Sequence, residues 1–277
     1  MPSSQQLLQN PVALCNIVRR VALGAGEILL KYFEDPDSAR IESKADGSPV
    51  SLADTEAEAY VYQALRELTP DVPVIGEEAA EQGTLPDLKA AEYFWLVDPL
   101  DGTKEFVSGG NDFTVNIALV HKGEPVLGVV YAPANGILYA GCGPGTALRW
   151  MEETDHEKSI KIRRPPKEGL TVVASAHHGD KARLDKFLEE YKVEKVLKRG
   201  SSLKICSIAD GKADIYPRFG PTSEWDTAAG DAILRSAGGM MTDLEGKALR
   251  YGGIRPKFLN PEFVACSFAW FAKEDEG

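Results

Sequence analysis

The 277-residue chain reads as a mixed α+β and α/β protein built in two halves. Two patterns predict this. The runs Phe113–Ala118, Val126–Ala132 and Gly136–Ala140 are short, apolar and separated by Gly, Pro and Asn, which suits an antiparallel meander. From Leu170 onward, short β-type runs alternate with helix-length segments, which suits an α/β layer. Between them lies the charged, proline-bearing stretch Met151–Lys167 (MEETDHEKSIKIRRPPK), the expected crossover.

Taken in order, Leu7 to Phe33 has apolar residues at helical spacing and predicts one long amphipathic helix, bent near Gly24 and Gly26. Ile41 to Asp54 (IESKADGSPVSLAD) is polar and breaker-rich, so a loop is expected. It holds Lys44, Asp46 and Asp54, and Asp54 suits the start of a second helix ending near Leu68. Val72 to Ile75 predicts a strand ending in Gly76-Glu77-Glu78, with the two acids pointing different ways off an extended chain. Gln82 to Ala91 is an expected connecting loop. Phe94-Trp95-Leu96-Val97 predicts a buried strand that runs into Asp98-Pro99-Leu100-Asp101-Gly102-Thr103.

In the second half, strands are expected at Leu170–Ala174, Lys195–Leu197, Ala213–Pro217, Met240–Thr242 and Phe263–Cys266. Helices are expected at Lys181–Tyr191, Ser202–Ala209 and Trp225–Ala237. Lys158 to Arg164 alternates too regularly for a nucleic-acid patch and suits a strand with charged outer positions.

A hydrophobic fraction of 43% supports a sizeable core, in one large domain or two packed ones. The net charge of −11 argues against a surface that holds nucleic-acid polymers or anionic membranes. Cys15, Cys142, Cys206 and Cys266 are scattered, with no CxxC pair, so neither a structural zinc site nor a disulfide framework is expected. A reducing cytoplasm is the simplest compartment. No run approaches the roughly 18 apolar residues of a membrane span, and no secretory signal is evident. Peripheral attachment at the cytoplasmic face of the inner membrane stays open, as does oligomeric state.

The chemistry concentrates at Asp98–Thr103. One tight turn offers carboxylate oxygens, a hydroxyl and backbone donors, which is chemistry for a divalent cation with a phosphate. A plain polar turn is the alternative. Further acids stand at element edges: Glu77, and Asp226, for which helix N-capping is the plain alternative. Hard oxygen donors without a well-placed His or Cys favour Mg²⁺ over zinc. Two or three such ions neutralise phosphate oxygens and acidify a water. Rival signatures are missing: no GxSxG elbow, no GxxxxGK[ST] loop and no convincing GxGxxG. Asp-Pro-Leu-Asp-Gly-Thr also departs from the Asp-x-Asp-x-Thr of phospho-aspartate enzymes. His177 and His178 suit either a phosphate contact or a plain loop.

WLVDPLDGTKEF, with Gly76-Glu77-Glu78 before it and Glu224-Trp225-Asp226-Thr227-Ala228-Ala229-Gly230 after it, resembles the inositol monophosphatase superfamily of Mg²⁺-dependent phosphatases. Lys104-Glu105-Phe106, Phe113–Leu119, Gly128–Pro133, Gly200–Lys204 and Tyr216–Thr222 are similar to its CysQ-type 3'(2'),5'-bisphosphate nucleotidases. The resemblance runs from Lys44 to Pro261. It implies a layered αβαβα sandwich of the sugar-phosphatase type. Residues 1–155 would form an α+β domain with the antiparallel sheet and metal motifs. Residues 156–277 would form an α/β domain completing the metal and nucleotide sites.

It also implies roles. Glu77, Asp98, Asp101 and Asp226, with the Leu100 carbonyl, would hold two or three Mg²⁺ ions. Thr103 would hold the attacking water, Asp54 would accept a proton from its hydroxyl, and Glu78 would support the metal ligands from behind. Backbone N–H groups of Gly102 and Thr103 would grip the phosphate, with Glu77 and Asp226 also facing the substrate. Ser201, Ser202, Lys204 and Arg218 would line the nucleotide site. Asp46 matches an acid of the family loop without being a direct ligand. Ala174-Ser175-Ala176-His177-His178 departs from the family's Ser-Arg-Ser-His. The implied reaction removes the 3'-phosphate of adenosine 3',5'-bisphosphate (PAP) to give AMP, with the sulfated nucleotide PAPS, giving APS, as a further substrate. The rivals are the same machinery acting on inositol phosphates or fructose 1,6-bisphosphate, and a nucleotide sensor that does not hydrolyse.

Overall fold

A computed structural model describes residues 3–35, 41–43, 49–81, 83, 85–175 and 181–268. Lys44, Asp46, His177 and His178 lie outside the described residues. The N-terminal helical pattern forms two helices instead of one, α1 (Ser4–Leu8) and α2 (Pro11–Glu34). The break is local chemistry. Pro11 has no N–H to continue a helix, and the Asn10 side chain accepts from Ala13 N at 3.2 Å to start a new one. Helix α2 runs unbroken through Gly24 and Gly26. Gly26 is a point of close approach: a Cβ there would lie 2.3 Å from the Tyr131 ring.

Residues 41–43 and 49–51 pair as a small hairpin, β1 and β2, leading into α3 (Leu52–Leu68). Next come β3 (Val74–Gly76), the five-residue α4 (Glu77–Glu81), β4 (Tyr93–Asp101) and α5 (Thr103–Val107). The three expected meander strands follow as β5 (Thr114–His121), β6 (Glu124–Ala132) and β7 (Ile137–Gly141). Two further strands extend it, β8 (Leu148–Met151) and β9 (His156–Ser159), the last inside the stretch expected to be the crossover. The seven strands β3 to β9 form one sheet in chain order, antiparallel except where β3 runs parallel to β4.

The alternating half supplies β10 (Leu170–Ser175), α6 (Lys181–Leu188), β11 (Val193–Arg199), α7 (Leu203–Ala209) and β12 (Ile215–Arg218). It ends with α8 (Glu224–Ser236), β13 (Met240–Asp243) and β14 (Phe263–Cys266). Its sheet has the order β11-β10-β12-β14-β13, parallel around β10 and antiparallel around β14.

Three apolar cores join five layers, the middle one reaching from α7 and α8 to both sheets, so the fold is the αβαβα sandwich. Alternation along each strand decides which core a residue joins. On β4, Trp95 and Val97 face α2 and α3, whereas Phe94 and Leu96 face α7 and α8. Across α7 and α8, that second core continues onto Val173, Tyr216 and Phe263. The outer face of the second sheet, Val172, Ile215 and Val264, packs with Phe187 and Leu188 of α6. Helix α8 is thus enclosed by both sheets, and the spacing is tight. A Cβ on Gly128 of β6 would sit 2.2 Å from the Ala229 carbonyl oxygen. That backbone atom has nowhere to move. Gly128→Ala is therefore expected to cost about 2 kcal/mol or more, read by denaturant unfolding.

Candidate active site

The turn after β4 takes its shape from the side chains and the proline within it. Asp98 Oδ1 accepts from Leu100 N at 3.0 Å, an Asp side chain closing a turn two residues long. Pro99 contributes no donor, and the pairing with β5 slips between Asp98 and Asp101. Gly102 has φ +96°, a left-handed conformation suited to glycine, and precedes α5. The Thr103 hydroxyl donates to the Leu100 carbonyl at 3.2 Å. Asp98 is consequently almost fully enclosed, while Asp101 and Gly102 line a cleft.

Strand β3 is parallel to β4, with Gly76 level with Val97. Glu77 therefore arrives beside Asp98. The two glutamates do not project from an extended chain as the sequence suggested, because the backbone turns helical at Glu77. Glu58, on α3, causes this turn. Its carboxylate accepts from Glu78 N at 3.0 Å and Ala79 N at 3.1 Å, satisfying the free donors at the start of α4. Glu78 lines a groove with Thr55, Glu58, Ala59 and Tyr62. Asp54 is buried in the first turn of α3. Asp226 is not the N-cap of α8. Ser223 holds that position, and Asp226 reaches back to accept from Ser223 N at 2.8 Å.

These acids act on one another. Burial pushes Asp98 well above the usual carboxylate range, and Glu77, Asp101, Asp226 and Asp54 push it further. Burial likewise raises Asp226, with Asp101 and Glu77 adding to it, against the Ser223 N–H. Five carboxylates from four separate stretches of chain thus share one electrostatic neighbourhood. Among the described residues, no three acid, His or Cys side chains are gathered into a closed cation cage. The acids are near enough to repel one another.

Asp101 and Asp226 also belong to a cleft of about 190 Å³, whose wall includes Gly102, Ser201, Ser202, Lys204 and Arg218. Glu77, Asp98, Leu100, Thr103, Asp54 and Glu78 are not part of that wall. Burial pulls Lys204 below the ordinary lysine value, and Arg218 adds to this, while Asp101, Glu105 and Asp226 oppose it. Its ammonium also lies 5.8 Å from the centre of the Tyr216 ring.

Sequence reasoning missed Glu58 and the buried Thr114 and Asn116. Asn116 Nδ2 lies 3.4 Å from Asp101 Oδ2 and donates to Ser202 Oγ at 3.0 Å. Signals existed for both. Glu58 stands one helical turn after Asp54. Thr114 and Asn116 are alternate polar residues in an otherwise apolar strand.

Residues 12–274 match the model of the inositol monophosphatase family. The chain is 44% identical over 251 residues to the 3'(2'),5'-bisphosphate nucleotidase CysQ of Escherichia coli K12, covering 89% of this chain and 96% of that protein. Among solved structures, CysQ from Bacteroides thetaiotaomicron superposes with a TM-score of 0.77 at 34% identity, covering 92% of this chain and 98% of the other. The inositol monophosphatase of Anabaena sp. PCC 7120 gives 0.70 at 26% identity, with 93% and 91% covered. Sequence and layered architecture agree, and the chain belongs to the inositol monophosphatase family.

Proposed function

We propose that this chain is a metal-dependent phosphomonoesterase, a 3'(2'),5'-bisphosphate nucleotidase converting PAP to AMP and phosphate, and PAPS to APS. One observation carries the reading beyond family membership. Asp101 and Asp226 belong both to the acid cluster and to a cleft whose wall also carries Lys204 and Arg218. A cleft with anionic and cationic groups suits a substrate with two phosphates, one at the acids and one at the cations. An inositol monophosphate has only the first.

The donor set fits a hard divalent cation: carboxylates, two of which, Asp98 and Asp226, are made more costly by their neighbours, with no sulfur or imidazole among the groups that shift Asp98 most. Glu77, Asp98, Asp101, Asp226 and the Leu100 carbonyl are the proposed holders of two or three Mg²⁺ ions. When bound, the cation supplies charge neutralisation at the phosphate and a more acidic water. The chain's own groups do the rest. In this reading Thr103 orients the water, its hydroxyl turning from the Leu100 carbonyl toward Asp54, which takes the proton. Glu78 supports the metal ligands from behind. Gly102 and Thr103 N–H groups hold the phosphate, and Ser201, Ser202, Lys204 and Arg218 receive the nucleotide. Residues 1–155 supply all the acids except Asp226, and 156–277 supply that acid and the nucleotide side. The reading includes a cytoplasmic location. Among the described residues no helix is long and apolar enough to cross a membrane.

Phosphate release should be measured on PAP, inositol 1-phosphate and fructose 1,6-bisphosphate, with and without Mg²⁺. PAP turnover dependent on Mg²⁺ is expected. Faster inositol phosphate hydrolysis would overturn the substrate, and binding of PAP without release would overturn the activity. Asp101→Asn keeps size and removes a charge, so kcat should fall about a hundredfold or more with the thermal midpoint shifted by less than roughly 5 °C. Near-normal turnover would contradict the assignment. Glu58→Ala strands two donors at the start of α4. It should cost about 1–2 kcal/mol of stability and raise the Mg²⁺ needed for half-maximal rate about tenfold. An unchanged metal requirement would show that Glu58 does not act through Glu77.

A further inference from the structure

The turn Gly200-Ser201-Ser202 carries two hydroxyls of the cleft wall, yet the segment that holds it comes from the other half of the chain. Asp112, Thr114 and Asn116 are alternate residues leading into and along β5, so their side chains share one face. Each meets one residue of the turn. Asp112 Oδ2 accepts from Gly200 N at 2.9 Å, and its Oδ1 accepts from Arg199 Nη1 at 3.2 Å. The Thr114 hydroxyl lies 3.2 Å from Ser201 Oγ. Asn116 Nδ2 donates to Ser202 Oγ at 3.0 Å.

This ladder cannot slip. Phe113, Val115 and Ile117, the intervening residues, are fully buried in the opposite core. A one-residue shift would turn them toward the polar turn and push the polar three into the apolar core. The turn itself needs the support, because Ser201 has φ +42°, a left-handed conformation unfavourable for a residue with a side chain. The ladder is also tied to the acids. Ser202 Oγ donates to the Asp226 carbonyl at 2.8 Å, and Asn116 Nδ2 lies 3.4 Å from Asp101 Oδ2.

We propose that Asp112, Thr114 and Asn116 are positioning residues that set the span between the acids, where the ester phosphate reacts, and the turn that receives the rest of the nucleotide. The inference rests on the nucleotidase reading above. Asp112 bonds Arg199 and Gly200, so its loss acts on substrate fit. Thr114, whose hydroxyl also lies 3.5 Å from Asp101 Oδ2, and Asn116 touch both the turn and the acids and separate the two effects less cleanly.

The experiment compares Thr114→Val, which keeps shape and removes the hydroxyl, with Thr114→Ser, which restores it, and adds Asp112→Ala. Steady-state kinetics on PAP and titration of Mg²⁺ activation are measured on the full chain. Asp112→Ala should raise KM about tenfold, with kcat and half-activating Mg²⁺ within about twofold of the parent, and Thr114→Val should raise KM by a similar factor. Thr114→Ser should return KM to within about twofold of the parent. Unchanged KM would overturn the proposal. So would a fall in kcat together with a higher Mg²⁺ requirement in Asp112→Ala, since the ladder would then serve the acids. Should Asp112→Ala fail to fold, Asp112→Asn replaces it and should shift KM in the same direction by a smaller factor. Absence of PAP turnover by the parent protein would instead defeat the nucleotidase reading, and is seen before any variant is made.

Discussion

Repulsion among buried carboxylates is the constraint that the rest of this molecule accommodates. Asp98 is nearly sealed from water and feels four other acids. Charges in that position oppose folding unless something offsets them. Backbone contacts anchor the segments that carry three of them. Asp98 is tied through its own turn, Glu77 opens a helix capped by Glu58, and Asp226 returns to the backbone of Ser223. Such anchoring limits how far the acids can relax apart.

Helix α8 connects this electrostatic problem to the core. Its first turn presents Asp226, and its length is enclosed between the two sheets. Small residues make that possible: Ala228, Ala229 and Ala232 are buried, and Ala229 approaches Gly128 directly. Close packing of this kind leaves few alternative positions for the helix. A run that looks like ordinary helix-forming sequence therefore sets the position of a charged group at the cleft. The two sheets, packed on either side of α8, fix the distance between the acids of the first half and the hydroxyls of the second.

Strand β5 shows the same economy. One face is pure core, with Phe113, Val115 and Ile117. The other begins with polar residues that bond the Gly200-Ser201-Ser202 turn and becomes apolar at Ala118 and Val120, where it meets the second core. A single alternating pattern thus serves packing and the support of that turn together.

Much of this was legible in the chain alone. The meander, the alternating half and the turn at Asp98–Thr103 follow from short-range rules: side-chain period, turn formers and apolar runs. Family resemblance named the acids. Other features were not legible. The first helix divides at Asn10 because a cap and a proline outweigh an unbroken apolar stripe. Glu77 turns into a helix because Glu58, nineteen positions earlier, supplies the acceptors. Thr114 and Asn116 matter because β5 lies against a turn more than eighty residues away. Local sequence determined which segments become strands, helices and turns, since those depend on neighbours within a few residues. Tertiary structure alone decided which charges and hydroxyls meet, since that depends on strand order and helix packing between distant segments.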